Sequence, residues 1–442
     1  MSTAPLDHRT LYRLPWNLSD NAISWLEPTS ACNLACDGCY RENVSNSHKP
    51  LDVVREEIAL FDRLRNSDGI SIAGGDPLLH PDIVEIVRAV AERGMKPIIN
   101  TNGLALDEAM LGELKRAGVY GFTFHIDSKQ GRPRWKGATE IDLLELRLRY
   151  AEMLARAGNI ACSFNATVYE DTFEHVPEMV AWAAKHIDKV QVMVFILYRA
   201  AAPQLPFEWY AGGRKVDMGQ LVYSASTERV VDISSPETVA KIRERFPDFQ
   251  PCAYLNGTEK PDSFKWLMAG RVGRNGRIHG YVGPKFMELM QVGHHALKGR
   301  YLAYSSPKTT RMGRALMALW PFDRGVRSIA KSWLGAALRN PLELFRRQHF
   351  QSVMIIQPID FLDNGLQNMC DGCPDMTIHN GELVWSCRME ELKQFGTWVR
   401  TVPAAGGRGT ASQGTAAQGT AAQGTAAQGT AAQGTEALYR ST

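Results

Sequence analysis

Residues 70–103 read ISIAGGDPLLHPDIVEIVRAVAERGMKPIINTNG, and the architecture follows from this stretch. Ile70–Ala73 is a short apolar run closed by glycines, which reads as a buried strand. Pro81 falls in the first turn of a helix. Ile83, Ile86, Val87 and Val90 then recur at helical spacing, and Gly94 stands where the helix stops. Pro97–Ile99 forms the next strand. Strand, helix and strand in this order make the repeating unit of a parallel sheet.

The same alternation extends through residues 20–200. A first strand lies near Ala22–Trp25, and Leu51, Val54, Ile58, Phe61 and Leu64 share one helical face. A helix ends near Gly118, followed by strand Tyr120–Ile126, a helix around Ile141–Ala157 and strand Ile160–Val168. Helix Val176–Ile187 and strand Val190–Leu197 complete the series. Six such strands predict an α/β fold based on a partial (β/α)6 TIM-like barrel, short of the eight strands of a closed one. Polar clusters follow the strands: Gly74-Gly75-Asp76-Pro77, Asn100-Thr101-Asn102-Gly103, Asp127-Ser128 and Arg199. Barrel enzymes build their sites at these C-terminal strand ends.

Residues 31–40, ACNLACDGCY, follow the first strand with C-x3-C-x2-C spacing. Three thiolates from one loop can hold three irons of a cubane and leave the fourth without a protein ligand. A structural zinc site wants four ligands, and His48 is the only nearby candidate. This loop resembles the signature of the radical S-adenosylmethionine (SAM) superfamily, including Tyr40 directly after the third cysteine. GGDP at 74–77 resembles the superfamily's GGEP motif, whose backbone binds the SAM amino group, with Asp76 in place of the commoner Glu. The resemblance covers roughly residues 20–200. It implies a [4Fe-4S] cluster on Cys32, Cys36 and Cys39, fed by a reductant protein of flavodoxin or ferredoxin type. It further implies reductive cleavage of SAM to methionine and a 5′-deoxyadenosyl radical that abstracts hydrogen from an unactivated C–H. The SAM contacts it implies are Tyr40, Gly74, Gly75 and Asp76, with Ser128 and Asn165 at the ribose and carboxylate. Asn102 and His125 are placed at the same mouth.

A second cysteine group occupies residues 370–387, CDGCPDMTIHNGELVWSC. Cys370, Cys373 and Cys387, joined by Cys252 from FPDFQPCAYLNG, make a four-thiolate set for an auxiliary [4Fe-4S] cluster or a zinc ribbon. The arrangement resembles a shortened twitch or SPASM-type extension of radical SAM enzymes, with one auxiliary cluster. Cys162 alternates with Ile160 and Phe164 and reads as a core residue.

The chain has 442 residues, 44% of them hydrophobic, and a net charge of +3, but the charge is unevenly spread. Residues 263–350 carry sixteen Lys/Arg against three Asp/Glu, which leaves the rest at −10. Within Arg324–Arg339, the residues Val326, Ile329, Ala330, Trp333, Leu334, Ala337 and Leu338 form an apolar stripe opposite Arg324, Arg327 and Lys331. This is the pattern of an interfacial helix on an anionic membrane, and equally of a helix docked on the barrel with a solvated basic face. The expected divisions are 20–200 for the barrel, 201–262 as a connecting region, 263–350 as a basic insert and possible substrate lid, and 351–403 as the cysteine extension. Residues 404–442 read as a disordered tail, because the TAAQG repeats that fill them up to Glu436 lack core-forming side chains. No transmembrane run or secretory signal is read, and the grouped cysteines suit a reducing cytosol, with peripheral association at the inner face of the membrane. Two substrate classes follow: a lipid or other amphiphile at the membrane surface, or a peptide or protein to be matured. A phosphorylated small molecule or an RNA also fits the basic charge. A non-enzymatic metal-binding regulator is disfavoured by the intact motifs.

Overall fold

In the computed structural model, the described residues are 6–198, 207–221 and 233–404, so Arg199 and the repeat tail from residue 405 lie outside them. A two-residue strand, β1 (Tyr12–Arg13), precedes β2 (Ile23–Thr29), helix α1 (Leu51–Leu64) and β3 (Gly69–Gly74). β3 lies between two parallel neighbours and buries every residue from Gly69 to Ala73. Cover on both faces is why this stretch is apolar without alternation. The series continues through α2 (Ile83–Glu92), β4 (Lys96–Thr101), α3 (Glu108–Ala117), β5 (Gly121–His125), α4 (Leu143–Ala157), β6 (Ala161–Val168), α5 (Val176–Lys185) and β7 (Val192–Leu197). Strands β2 to β7 are parallel and adjacent in sequence order, the pattern of a partial barrel. The periodic faces of α1 and α2 turn inward. Val54, Ile58 and Phe61 join Ile83, Ile86, Val87 and Val90 in one core with the strands.

Beyond β7, strands β8 (Phe207–Ala211) and β9 (Arg214–Lys215) form a small antiparallel pair, and α6 (Ser235–Arg245) starts on a Ser234–Glu237 capping box. Then come β10 (Ala253–Leu255), β11 (Trp266–Arg274), β12 (Arg277–Tyr281), α7 (Pro284–Lys298), the short helices α8 (Pro307–Thr310) and α9 (Gly313–Leu316), and α10 (Arg324–Arg339). The described residues close with β13 (His349–Ile356), β14 (Asp360–Phe361), β15 (Gln367–Asn368), β16 (Met376–His379), β17 (Glu382–Trp385), α11 (Met389–Phe395) and β18 (Val399–Pro403). The main sheet runs β1-β10-β11-β13-β7-β6-β5-β4-β3-β2, with β12 attached to β11.

The sheet corrects the reading of the insert. β13 crosses the expected boundary between residues 350 and 351, pairs in parallel with β7, and receives β11 antiparallel on its other edge. The basic region therefore contributes strands to the barrel sheet. This pairing joins Met193 to Val353, a separation in sequence that no local periodicity reveals. The insert also crosses the end of the barrel opposite the cysteine loop. The backbone N–H of Ala303 donates to Asp68 (2.9 Å), and Lys96 Nζ donates to the carbonyl of Tyr304 (2.9 Å), at the N-terminal ends of β3 and β4. It forms a floor rather than a lid over the cysteines.

Phe124 is fully buried and stacks against Phe122, Tyr150 and Phe164. Phe124→Ala should cost about 3–5 kcal/mol, read as a lowered urea midpoint. An unchanged midpoint would mean that the barrel core lies elsewhere.

Candidate functional site

The cysteine loop leaves the C-terminal end of β2 and is held from several sides. Asp37 N–H donates to the carbonyl of Lys129 (2.9 Å), and Tyr169 OH donates to the carbonyl of Asp37 (2.6 Å). Gly38 adopts φ +70°, and a Cβ there would lie 2.3 Å from the ring of Tyr198. Only glycine satisfies both the turn and the close approach. His48 is turned away as a ligand, with its Nδ1 2.9 Å from Thr29 Oγ1.

The GGDP loop lies against the same segment. Gly75 N–H donates to Thr29 O (2.9 Å) and Asp76 N–H to Ala31 O (2.7 Å), and a Cβ on Gly75 would meet Ala31 O at 2.2 Å. The Asp76 side chain points inward. Its oxygens accept from Thr101 Oγ1 (2.8 Å), Asn102 N–H (2.9 Å) and Leu78 N–H (3.0 Å). Burial raises the pKa of this carboxyl, and these donors oppose the rise. Asp76 is thus a clamp between two strand ends: its carboxylate is taken up within the protein, which leaves the backbone of the turn as the part that could meet a cofactor. Asn102 reaches the loop itself, its Nδ2 3.8 Å from Cys32 Sγ and 2.7 Å from Asn33 Oδ1.

The remaining expected SAM contacts separate. Ser128 is half-buried after β5, and its N–H donates to Glu140 (2.6 Å). His125 stands 3.0 Å from both Asp127 and Thr167. Asn165 lines a cavity inside the barrel. Tyr40 lies under Arg41, with 4.9 Å from the guanidinium to the ring centroid. Its hydroxyl is buried near Glu27 and Asp375, and burial raises its pKa.

Among the described residues no three His, Cys, Asp or Glu side chains form a single-ion cage. The fit of a cluster therefore rests on donor chemistry. Burial, then Asp127 and the other two thiols, push the Cys36 pKa up, with Arg132 pulling against them. Buried thiols of this kind give up their protons to a metal. Arg132 spends Nη2 on the carbonyls of Asn102 and His125, but its buried Nη1 has no hydrogen-bond partner among the described residues. Three soft donors, with the Arg132 guanidinium close to Cys36, suit an anionic iron–sulfur group.

The second cysteine group assembles in part. Cys370 and Cys373 are hydrogen-bonded neighbours, and the nearby Cys370 thiol and burial raise Cys373. Burial and Cys370 push Cys387 up to about 12. Arg65 is fully buried beside them and donates Nη2 to Cys373 O (2.5 Å), while its Nε and Nη1 have no partner among the described residues. Cys252 does not join the group. Its thiol donates to Met268 O (3.3 Å) within an apolar cluster that Cys370 touches only from its edge. Gly257, which bridges to Cys370, is five near-extended residues further on, roughly 16 Å along the strand. The four-thiolate set is therefore corrected to three. Cys162 is fully buried in the barrel core.

The residues that join the two cysteine groups were not read from the sequence. Arg41, two positions after Cys39, donates through Nη2 to Glu27 (2.5 Å), Ser386 O (2.6 Å) and Ser386 Oγ (2.9 Å), and through Nη1 to Glu390 (3.3 Å). Glu27 also accepts from Trp25 Nε1 (2.9 Å) and Ser386 Oγ (2.7 Å). A lone Arg after a cysteine loop gives no local signal, because its partners lie up to 349 positions away.

Inside the barrel is a cavity of about 210 Å³. Its wall is largely apolar, with Trp25, Trp266, Met268, Phe286, Phe350 and Met354, while Asn100, Asn165 and Asp375 are among its polar residues, with Ser71, Gln191, Gln291 and Ser352. Burial pushes the Asp375 carboxyl up to about 7 despite the Arg65 guanidinium.

Residues 26–183 match the family model of the Radical SAM superfamily. The chain is 32% identical over 170 residues to the GTP 3′,8-cyclase of Chlorobaculum tepidum, covering 37% of this chain and 51% of that protein. It is 26% identical over 181 residues to the AdoMet-dependent heme synthase of Oleidesulfovibrio alaskensis, covering 39% and 46%. The chain thus spans about half the length of the curated relatives it matches. The structure of Streptococcus suis SuiB bound to precursor peptide SuiA aligns with a TM-score of 0.34 and 18% identity, covering 41% of this chain and 40% of that one. The matched segment begins inside β2 and includes the cysteine loop, the GGDP turn and the strands that carry them, so residues 26–183 of this chain are a radical SAM domain.

Proposed function

We propose that this protein is a radical SAM enzyme that takes hydrogen from an unactivated C–H of a substrate with a large apolar part, a lipid or other amphiphile. A GTP cyclase and a heme synthase both resemble this segment, so the shared sequence does not set the substrate. The observation that carries the substrate class is the apolar cavity, which lies inside the barrel and is closed below by the insert. A peptide backbone or a phosphate placed against that wall would leave polar groups unpaired, at a cost of about 2 kcal/mol or more each. This favours an amphiphile over a peptide, a phosphorylated molecule or an RNA.

Cys32, Cys36 and Cys39 would hold the SAM-binding [4Fe-4S] cluster, and the 74–77 backbone with Asn102 would border SAM. When bound and reduced by a flavodoxin or ferredoxin-type protein, this pair supplies one-electron cleavage of SAM to methionine and a 5′-deoxyadenosyl radical. The chain's own part is positional. Asp76 clamps the strand ends, and Asn100, Asn165 and Asp375 would orient the polar end of the substrate. Cys370, Cys373 and Cys387 would hold an auxiliary [4Fe-4S] cluster. A four-thiolate zinc ribbon is less well supported once Cys252 stands apart.

Three tests follow. Anaerobically reconstituted protein with SAM and dithionite should release 5′-deoxyadenosine, and Cys36→Ala should abolish the release while circular dichroism is unchanged. Iron-loaded wild type that releases none would refute the assignment. Iron content should be near eight per chain, fall by about four in Cys373→Ser, and stay constant in Cys252→Ser. A loss of iron in Cys252→Ser would restore that residue as a ligand. Arg41→Ala should strand the buried Glu27, destabilise the protein by about 3–5 kcal/mol and lower iron at both sites. Retention of iron and of melting temperature would show that the two cysteine groups are independent.

A further inference from the structure

The structure divides the apolar stripe of α10 in two. Val326, Ile329, Ala336 and Ala337 are buried against the barrel, but Leu334 and Leu338 are exposed, Leu338 by 86%. Arg324, Arg327, Lys331, Leu334 and Leu338 follow one another by three or four residues and so share a single outward face. Arg327 extends this face by donating to the carbonyls of Trp320 (3.4 Å) and Pro321 (3.2 Å), which brings Trp320 and Phe322 to its end. At the other end the chain continues into Leu342 and Phe345, 62% and 79% exposed. A run of large apolar side chains left in solvent marks a surface that something covers.

Charge identifies what covers it. Between residues 305 and 348 nine Lys and Arg are exposed, and the only two acids, Asp323 and Glu343, are buried. Asp323 is occupied by the backbone N–H groups of Gly283, Phe286 and Val326, and Glu343 by Arg274 and Arg346. The outward face therefore carries positive charge mixed with Trp, Phe and Leu, and no exposed acid. We infer that this face seats the protein on an anionic lipid surface, its apolar side chains in the acyl boundary and its arginines on the headgroups. Trp320, Phe322 and Phe345 offer rings to bases, but the exposed aliphatic Leu334, Leu338, Leu342 and Leu344 beside them suit acyl chains and not base stacking, which favours lipid over RNA. No helix among the described residues is long and apolar enough to cross a membrane, so the attachment is peripheral.

The same segment borders the cavity. Thr309, Thr310 and Leu316 line it, while Arg311, Met312 and Arg314 between them face solvent. One thin wall thus separates the lipid-facing surface from the proposed substrate chamber, and an amphiphile could pass its tail through that wall without crossing water. This route rests on the amphiphile reading of the cavity; the docking face itself does not.

Vesicle co-sedimentation of the reconstituted holoprotein tests the docking face. Vesicles of phosphatidylcholine with about a third phosphatidylglycerol should retain roughly tenfold more protein than phosphatidylcholine alone, and added salt should reduce the difference. The double variant Leu338→Glu, Phe345→Glu should bind no better than background, with iron content and circular dichroism unchanged. Equal binding to both vesicle types, or undiminished binding of the variant, overturns the inference. So does a dimer in vesicle-free buffer that the variant dissociates, since the face would then be an interface between copies. The same samples are assayed for 5′-deoxyadenosine without vesicles. Release without vesicle binding defeats only the docking face, and binding without release defeats only the radical chemistry.

Discussion

The guanidinium of Arg41 holds this structure's two cysteine-bearing parts together. It is buried with Glu27 and Glu390, and its Nη2 is shared between Glu27 and Ser386. Burial works against the charge of such a group, and the two carboxylates offset it. A pair of this kind adds little net stability compared with apolar packing, yet losing one partner is costly because the other stays buried and charged. The consequence is positional. Arg41 follows the first cysteine loop and Ser386 directly precedes Cys387, so the two sites share one set of hydrogen bonds. Glu27 carries the set to Trp25, a wall of the cavity.

Arg65 plays a related part on the other side of the extension. It gives one nitrogen to the carbonyl of Cys373 and leaves two buried nitrogens without partners among the described residues. A fully buried cation with unspent donors, beside three thiols and Asp375, is consistent with the proposed auxiliary cluster, whose sulfides would accept from it. Asn21 Nδ2 donating to Gly372 O (3.0 Å) and the ion pair of Arg13 with Asp371 (2.6 Å) fasten the same extension to the start of the chain.

The basic insert meets two opposite demands. Through β11, β12 and α7 it supplies apolar residues to the sheet and the cavity wall, and through residues 311–347 it presents positive charge to solvent. The imbalance of sixteen basic to three acidic residues was visible in the sequence. That the acids are the buried ones, leaving the outer face without negative charge, appears only once Asp323 is seen capping α7 and α10 and Glu343 paired with Arg274.

The barrel itself was legible from composition and period. Parallel strands covered on both faces must be continuous apolar runs, helices that cover them must be apolar every three or four residues, and both signals are local. The cysteine loop and GGDP were legible for the same reason, since each places its chemistry within ten residues. Cys252 misled because its distance from Cys370 depends on the direction in which β10 leaves the sheet, which spacing does not encode. Asp76 matched a motif, but Thr101 and Asn102 take up its carboxylate from the neighbouring strand end. By itself the sequence determined the βα order, the three-thiol loop and the uneven charge, because these rest on contacts between near neighbours in the chain. Only the tertiary structure decided which cysteines meet, that the insert floors the barrel, and that Arg41 joins the two sites. Those outcomes depend on buried partners hundreds of residues apart, whose pairing is set by the cost of burying a charge without an opposite one.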